Sequence, residues 1–169
     1  MEVYRVSFVG QGVIKDEYAT RAVLEYFASR LIQEKEHVEF LVGREHRFDE
    51  LATSAVRRAQ SVYGTKNSCL NLMLMHPIAN NDFFKEYDNV VYAIPLGEDC
   101  DTVQEHRRAM LLQSDLVLGY VTEKSGEAYH ALKYAARKNK SVKNVAALIF
   151  APTPAFSPER LEHMYQMES

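Results

Sequence analysis

Four short segments carry the residue types best suited to chemistry. The first is Gly10-Gln11-Gly12, where missing side chains let backbone N–H groups approach an anion. The second runs Gly43-Arg44-Glu45-His46-Arg47-Phe48-Asp49 and gathers three basic side chains in one loop. Arginine there suits a phosphate or carboxylate, which its guanidinium can hold through two parallel hydrogen bonds. His76, followed by Pro77, offers an imidazole, and Ser125-Gly126-Glu127 offers a hydroxyl, a bare backbone and a carboxylate. Each segment also has a plain structural reading. A tight turn needs glycine in any case, and acidic residues at helix starts complement the helix dipole. Arg44, His46 and Arg47 could form a solvated face, and His76 could be a satisfied polar group at a strand end.

Other chemistry is not signalled. The chain has no Ser/His/Asp order, no HExxH, no phosphate-binding loop of the GxxxxGK type and no paired carboxylates at helical spacing. Gly10-Gln11-Gly12 lacks the third glycine of a dinucleotide fingerprint. Cys69 and Cys100 stand without CxxC or zinc spacing and read as small buried hydrophobes, so neither metal nor cofactor is expected. Glu127 is the single catalytic candidate. Glu105-His106-Arg107-Arg108 at a helix start reads as a solvated face, and Lys133, Arg137, Lys138, Lys140 and Lys143 as a basic cluster around a helix end.

Positioning these segments requires elements that alternate. Val3 to Val9 reads as a strand, and a helix begins near Lys15 or Asp16 with Ala22, Val23, Tyr26, Phe27 and Leu31 at helical spacing. Further strands are expected at Val38 to Val42, Cys69 to Met75, Asn89 to Ile94, Asp115 to Val121 and Val142 to Leu148. Further helices are expected at Phe48 to Tyr63, Thr102 to Gln113, Gly126 to Lys138 and Pro158 to Met167. Gly64 would end the second helix, while Pro152, Pro154 and Pro158 enforce an extended linker. Continuous apolar strands separated by helices predict an α/β fold: a Rossmann-like, doubly wound, mainly parallel sheet covered on both faces. In such a sheet ligands bind beyond the carboxyl ends of the strands. That is where the four segments fall.

The pieces Arg5 to Gly10, Leu41 to Arg44, Arg47 to Ala52, Ser114 to Leu118 and Ser125 to Ala128 resemble the SLOG superfamily of Rossmann-like nucleotide-binding domains. That superfamily takes in the YpsA-like proteins, the DNA-processing protein DprA and the lysine-decarboxylase-like phosphoribohydrolases. The YpsA-like branch is the nearest, and the resemblance spans roughly Tyr4 to Val145. It implies a ligand site built by Gly10, Gln11, Gly12, Gly43, Arg44, Phe48, Asp49, His76, Ser125, Gly126 and Glu127. Departures are equally clear. Gln11-Gly12 replaces the branch's His-Arg after the first strand, Arg47 stands where glycine is usual, and Glu127 replaces a threonine. A carboxylate at that point repels a phosphate by about 1 kcal/mol at 4 Å in water, and by more when desolvated. The Pro-Gly-Gly-x-Gly-Thr-x-x-Glu run of the phosphoribohydrolases is absent.

Length and charge complete the expectation. The chain has 169 residues with a net charge of −3, ordinary for one globular domain and short of the basic surplus of a nucleic-acid binder. One domain over residues 1–150 is expected, followed by a Pro-rich linker and a short helix over 151–169. The expected function is binding of a nucleotide or nucleotide-derived small molecule, in a sensory or regulatory role, by a cytoplasmic homo-oligomer without membrane contact. The alternatives are a nucleoside-monophosphate phosphoribohydrolase-like enzyme and a degenerate, non-binding interaction module.

Overall fold

The computed structural model describes residues 1–74, 82–92, 103–150 and 157–167. Six strands form a single sheet: β1 (Val3–Gly10), β2 (His37–Val42), β3 (Ser68–Leu74), β4 (Asn89–Tyr92), β5 (Leu116–Tyr120) and β6 (Ser141–Asn144). Their order across the sheet is β4-β3-β2-β1-β5-β6, and every pairing is parallel. The chain first steps outward from β1 to β4 and then returns to the other side of β1. The crevice between the carboxyl ends of β1 and β5 is therefore the topological switch point.

The helices are α1 (Glu17–Glu34), α2 (Arg47–Tyr63), α3 (Val103–Leu112), α4 (Glu127–Arg137), α5 (Val145–Ile149) and α6 (Pro158–Gln166), with a short 3₁₀ turn at Asp82–Glu86. The strands alternate strictly between two cores, as a period of two demands. Val6, Phe8, Val38, Phe40, Leu116 and Leu118 join a core with α1, α2, α5 and α6. Val9, Leu41 and Val117 join a second core with Met110 and Leu111 of α3 and Ala131 and Leu132 of α4. Among the described residues no helix is long and apolar enough to cross a membrane.

Local chemistry explains the helix boundaries. Asp16 caps α1, its carboxylate accepting from Ala19 N at 2.9 Å, and Gly64 stops α2 with φ of +88°. The strand expected over Val142 to Leu148 is corrected: β6 ends at Asn144, and Val145–Ile149 is helix. The Asn144 amide takes over the ladder, accepting from Val121 N at 3.0 Å and donating to Val121 O at 2.8 Å. Beyond it, Val145, Ala146 and Ile149 sit at helical spacing and bury into the core. Pro158 does not extend a linker but opens α6, behind a Ser157 cap. Pro152, Pro154, Cys100 and the expected strand tail at Ile94 lie outside the described residues.

Lys143 also departs from the expected basic cluster. Its ammonium donates to Met164 O at 3.1 Å, Tyr165 O at 2.6 Å and Met167 O at 2.7 Å, closing the carboxyl end of α6. Met164 of α6 sits in the main core at 3% exposure, so α6 is clamped from both sides. Lys143→Met is expected to cost about 1.5–3 kcal/mol, the net value of a hydrogen bond to a charged donor. Urea unfolding would detect it, and an unchanged midpoint would show that the clamp contributes nothing.

Candidate functional site

Three of the four segments singled out in the sequence meet at the switch point. The turn after β1 is tied to the turn after β5 through Gln11. Its backbone N–H donates to Tyr120 O at 3.2 Å, and its side-chain amide donates to Thr122 Oγ1 at 3.0 Å and accepts from Thr122 N at 3.2 Å. The loop between β2 and α2 forms the second wall, and Ser125-Gly126, leading into α4, forms the third. Against the first two walls lies an open cleft lined by Gly10, Gly43, Glu45, His46, Asp49, Arg107 and the apolar Phe8, Val9, Met73 and Met110. It adjoins a second open depression, on the third wall, lined by Gln11, Val121, Ser125, Gly126, Glu127, Ala128 and Tyr129. Gly10, His46 and Arg107 border both, so the two lie side by side at the switch point.

The floor of the cleft explains why its first residue is glycine. Phe48 is fully buried, with ring centroids 6.4 Å from Phe8 and 6.2 Å from Tyr120. A Cβ on Gly10 would lie 2.3 Å from Phe48 Cγ. Phe48, expected to contact ligand, is instead the support beneath the β1 turn. Gly43 is needed for a gentler reason: a Cβ there would meet the Asp49 carboxylate at 3.3 Å.

Asp49 organises the second wall. It is 6% exposed, and Oδ2 accepts from the backbone N–H of Glu45 at 3.1 Å and of His46 at 3.2 Å. These bonds hold the loop against the start of α2. Burial pushes the Asp49 carboxyl above its ordinary range, against the pull of the two backbone donors. Asp49→Ala is expected to lose about 1–2 kcal/mol of stability, the usual cost of deleting a helix-start acceptor. Asp49→Asn keeps an acceptor oxygen and removes the buried charge, so at neutral pH it should lose less. The pH sign follows from the raised value. The native state holds this proton more tightly than the unfolded chain, so the contribution is complete below the unfolded value and fades as pH rises through the folded one. Wild type should therefore gain stability relative to Asp49→Asn on acidification, measured as paired urea midpoints. A difference that stays flat with pH would contradict this.

Arg107 is the functional candidate that the sequence reading misplaced on a solvated face. Its side chain is only 12% exposed and lies 3.7 Å from Glu45 and 3.5 Å from Glu127, bridging two walls of the cleft. A signal was present. Arg107 stands three and four residues before Met110 and Leu111, so it shares their inward face on α3.

The remaining basic residues point elsewhere. Arg44 pairs with Glu86 at 3.2 Å and stacks 4.0 Å above the Phe83 ring, in a third depression that shares Gly43 and Asp49 with the cleft. Arg47 is taken up by Glu17 at 2.7 Å and by Glu50. Gly12 is exposed, near His46, and His76 lies outside the described residues. Gly126 has φ of +94° and precedes α4 directly, and Glu127 stands in solvent with 70% of its side chain exposed. Among the described residues the two adjoining depressions thus hold Arg107 and His46 against the carboxylates of Glu45, Asp49 and Glu127. Their charges are mixed in sign and set among apolar side chains, unlike a basic phosphate clamp.

No protein-family model matches the chain, and no curated protein matches it in sequence. Solved structures do match. The molybdenum cofactor carrier protein of Chlamydomonas reinhardtii superposes with a TM-score of 0.54 at 13% identity, over 96% of this chain and 83% of that one. DprA, the DNA processing protein of Streptococcus pneumoniae, superposes with a TM-score of 0.60 at 13% identity, over 96% of this chain. The chain spans about half of DprA, covering 54% of it. At such identities the likeness is one of fold. The chain has a Rossmann-like α/β fold, and it shares that fold with these two proteins.

Proposed function

We propose that the protein binds a nucleotide-derived small molecule of low negative charge in the depression between β1, α2 and α4, in a sensory or regulatory role. The carrying observation is the convergence of the Gly10-Gln11, Gly43-Asp49 and Ser125-Glu127 turns at the switch point, with Arg107 bridging the last two. In this reading Gly126, with nothing within 4 Å of where a Cβ would stand, admits ligand to the main chain at the start of α4, and Arg107 holds a single anionic group. Glu127 and Glu45 accept from hydroxyl or exocyclic amine donors, which three neighbouring carboxylates favour over a polyphosphate. A fold neighbour whose own name is that of a cofactor carrier supports small-molecule binding as a general role.

An N-glycosidic hydrolase needs a desolvated carboxylate near the reacting bond. Glu127 is exposed and paired with Arg107, which supports the hydrogen-bond acceptor's role in this reading. A homo-oligomer remains part of the proposal, and light scattering tests it.

The binding experiment is a panel of nucleosides, nucleoside monophosphates, diphosphates and sugar-linked dinucleotides, read by thermal shift and calorimetry. One class should stabilise the wild type and fail to stabilise Ser125→Trp, which fills the mouth of the cleft. Arg44→Ala, whose side chain faces another depression, should bind like wild type. Free base released from a monophosphate, and lost in Glu127→Gln, would establish the hydrolase instead. No response from any class would leave the degenerate-module reading standing.

A further inference from the structure

Away from the cleft, we propose that His37, Glu39 and Cys69 form a binding site for a zinc-class divalent cation, bridging β2 and β3. His37 and Glu39 are two residues apart on β2 and so project from one face, and Cys69 lies opposite Glu39 in the parallel register. The imidazole nitrogen, the carboxylate oxygen and the thiol sulfur all lie within 4.8 Å of one another. Ligands around a tetrahedral zinc ion sit about 3.5 Å apart, given bonds of about 2.0–2.3 Å, so rotamer adjustment alone closes the set.

The donor types select the ion. A thiolate and an imidazole with one carboxylate match zinc, whereas magnesium and calcium require oxygen ligands throughout. All three side chains are half-buried, which leaves solvent a path to the ion and a fourth position for water. Arg5 Nε donates to Glu39 Oε2 at 3.0 Å and leaves the other oxygen uncommitted. A donor holding one oxygen of a ligating carboxylate fixes its orientation, while the guanidinium charge keeps affinity below that of a four-ligand structural site.

The placement also separates this site from the ligand cleft. His37 opens β2 and Gly43 follows its end, roughly 20 Å apart at the rise of an extended strand. Leu41, on the same face of β2, joins the apolar core under α3 and α4, whereas Glu39 and Cys69 interrupt that core with polar groups. Binding releases the Cys69 thiol proton to water as the sulfur–metal bond forms.

The test uses the full chain with reduced thiols, titrated with cobalt(II) and followed by absorption, then displaced with zinc. One ion per chain is expected, with a thiolate-to-cobalt charge-transfer band that Cys69→Ser abolishes. Cys69→Ser and His37→Gln should each weaken zinc binding about tenfold or more, while Cys100→Ser leaves it unchanged. In wild type, zinc should also protect Cys69 from alkylation, mapped by peptide mass spectrometry, which needs no variant to fold. Absence of the charge-transfer band, its persistence in Cys69→Ser, or equal alkylation with and without zinc would overturn the proposal. None of these readouts depends on the cleft or its ligand.

Discussion

Gly10→Ala should destabilise the protein by about 2–3 kcal/mol, the upper part of the range for forcing extra volume into a packed core. The added Cβ would fall 2.3 Å from Phe48 Cγ and 2.5 Å from Phe48 Cβ, distances that real atoms do not occupy. A flexible side-chain end could swing aside, but Phe48 cannot. Its ring is fully buried between Phe8 and Tyr120, and its Cβ is fixed to the second residue of α2. Relief therefore requires α2 to move away from β1. That shift carries Asp49 with it and opens the Glu45 and His46 backbone contacts it holds. The double variant Gly10→Ala with Phe48→Ala should lose less than the sum of the two single changes, because alanine removes the Cγ at 2.3 Å and the Cδ2 at 2.5 Å that the new Cβ would meet. Urea unfolding of the four proteins measures the coupling. Strict additivity would show that the contact between β1 and α2 is looser than the distance implies.

Arg107→Ala should weaken ligand binding about tenfold to a hundredfold, corresponding to about 1.5–3 kcal/mol for a hydrogen bond to a charged partner. Two effects act together. The guanidinium that holds an anionic group is lost, and Glu45 and Glu127, now unpaired, present uncompensated negative charge to the ligand. Arg107→Lys should fall between, since an ammonium restores charge without the planar fork. The two ion pairs contribute only a few tenths of a kcal/mol to stability, because Glu45 and Glu127 are 44% and 70% exposed, so the stability change in Arg107→Ala reports mainly its buried stem, which Arg107→Lys largely keeps. Calorimetry on the ligand class found by the panel separates these outcomes. Equal affinity for wild type and Arg107→Ala would remove the arginine from the site, and a large loss of stability would make its role structural.

Elements whose identity follows from neighbouring residues were legible in the sequence. The apolar runs of β1, β2, β3 and β5 required burial on two faces, and the cap residues Asp16 and Gly64 bounded their helices for local reasons. An all-parallel order, with the strand-end turns gathered on one edge, follows from alternating strands and helices. Gly10, Gln11, Gly43, Asp49, Ser125, Gly126 and Glu127 could therefore be placed at a common edge before any coordinate was known.

What depends on contacts between distant residues was not legible. Apolar content at Val142 to Leu148 fits strand or helix equally. The choice fell to the Asn144 amide reaching Val121, 23 residues away. Arg44, Arg47 and Arg107 are the same residue type, each near a predicted element boundary. Glu86 and Glu17 draw the first two outward, while helical phase turns Arg107 inward. Likewise His37, Glu39 and Cys69 show no metal spacing along the chain, because strand register and not sequence proximity brings Cys69 beside Glu39. Residue types and periodicity decided which edge of the sheet gathers the strand-end turns; only packing decided which charges face the depressions there.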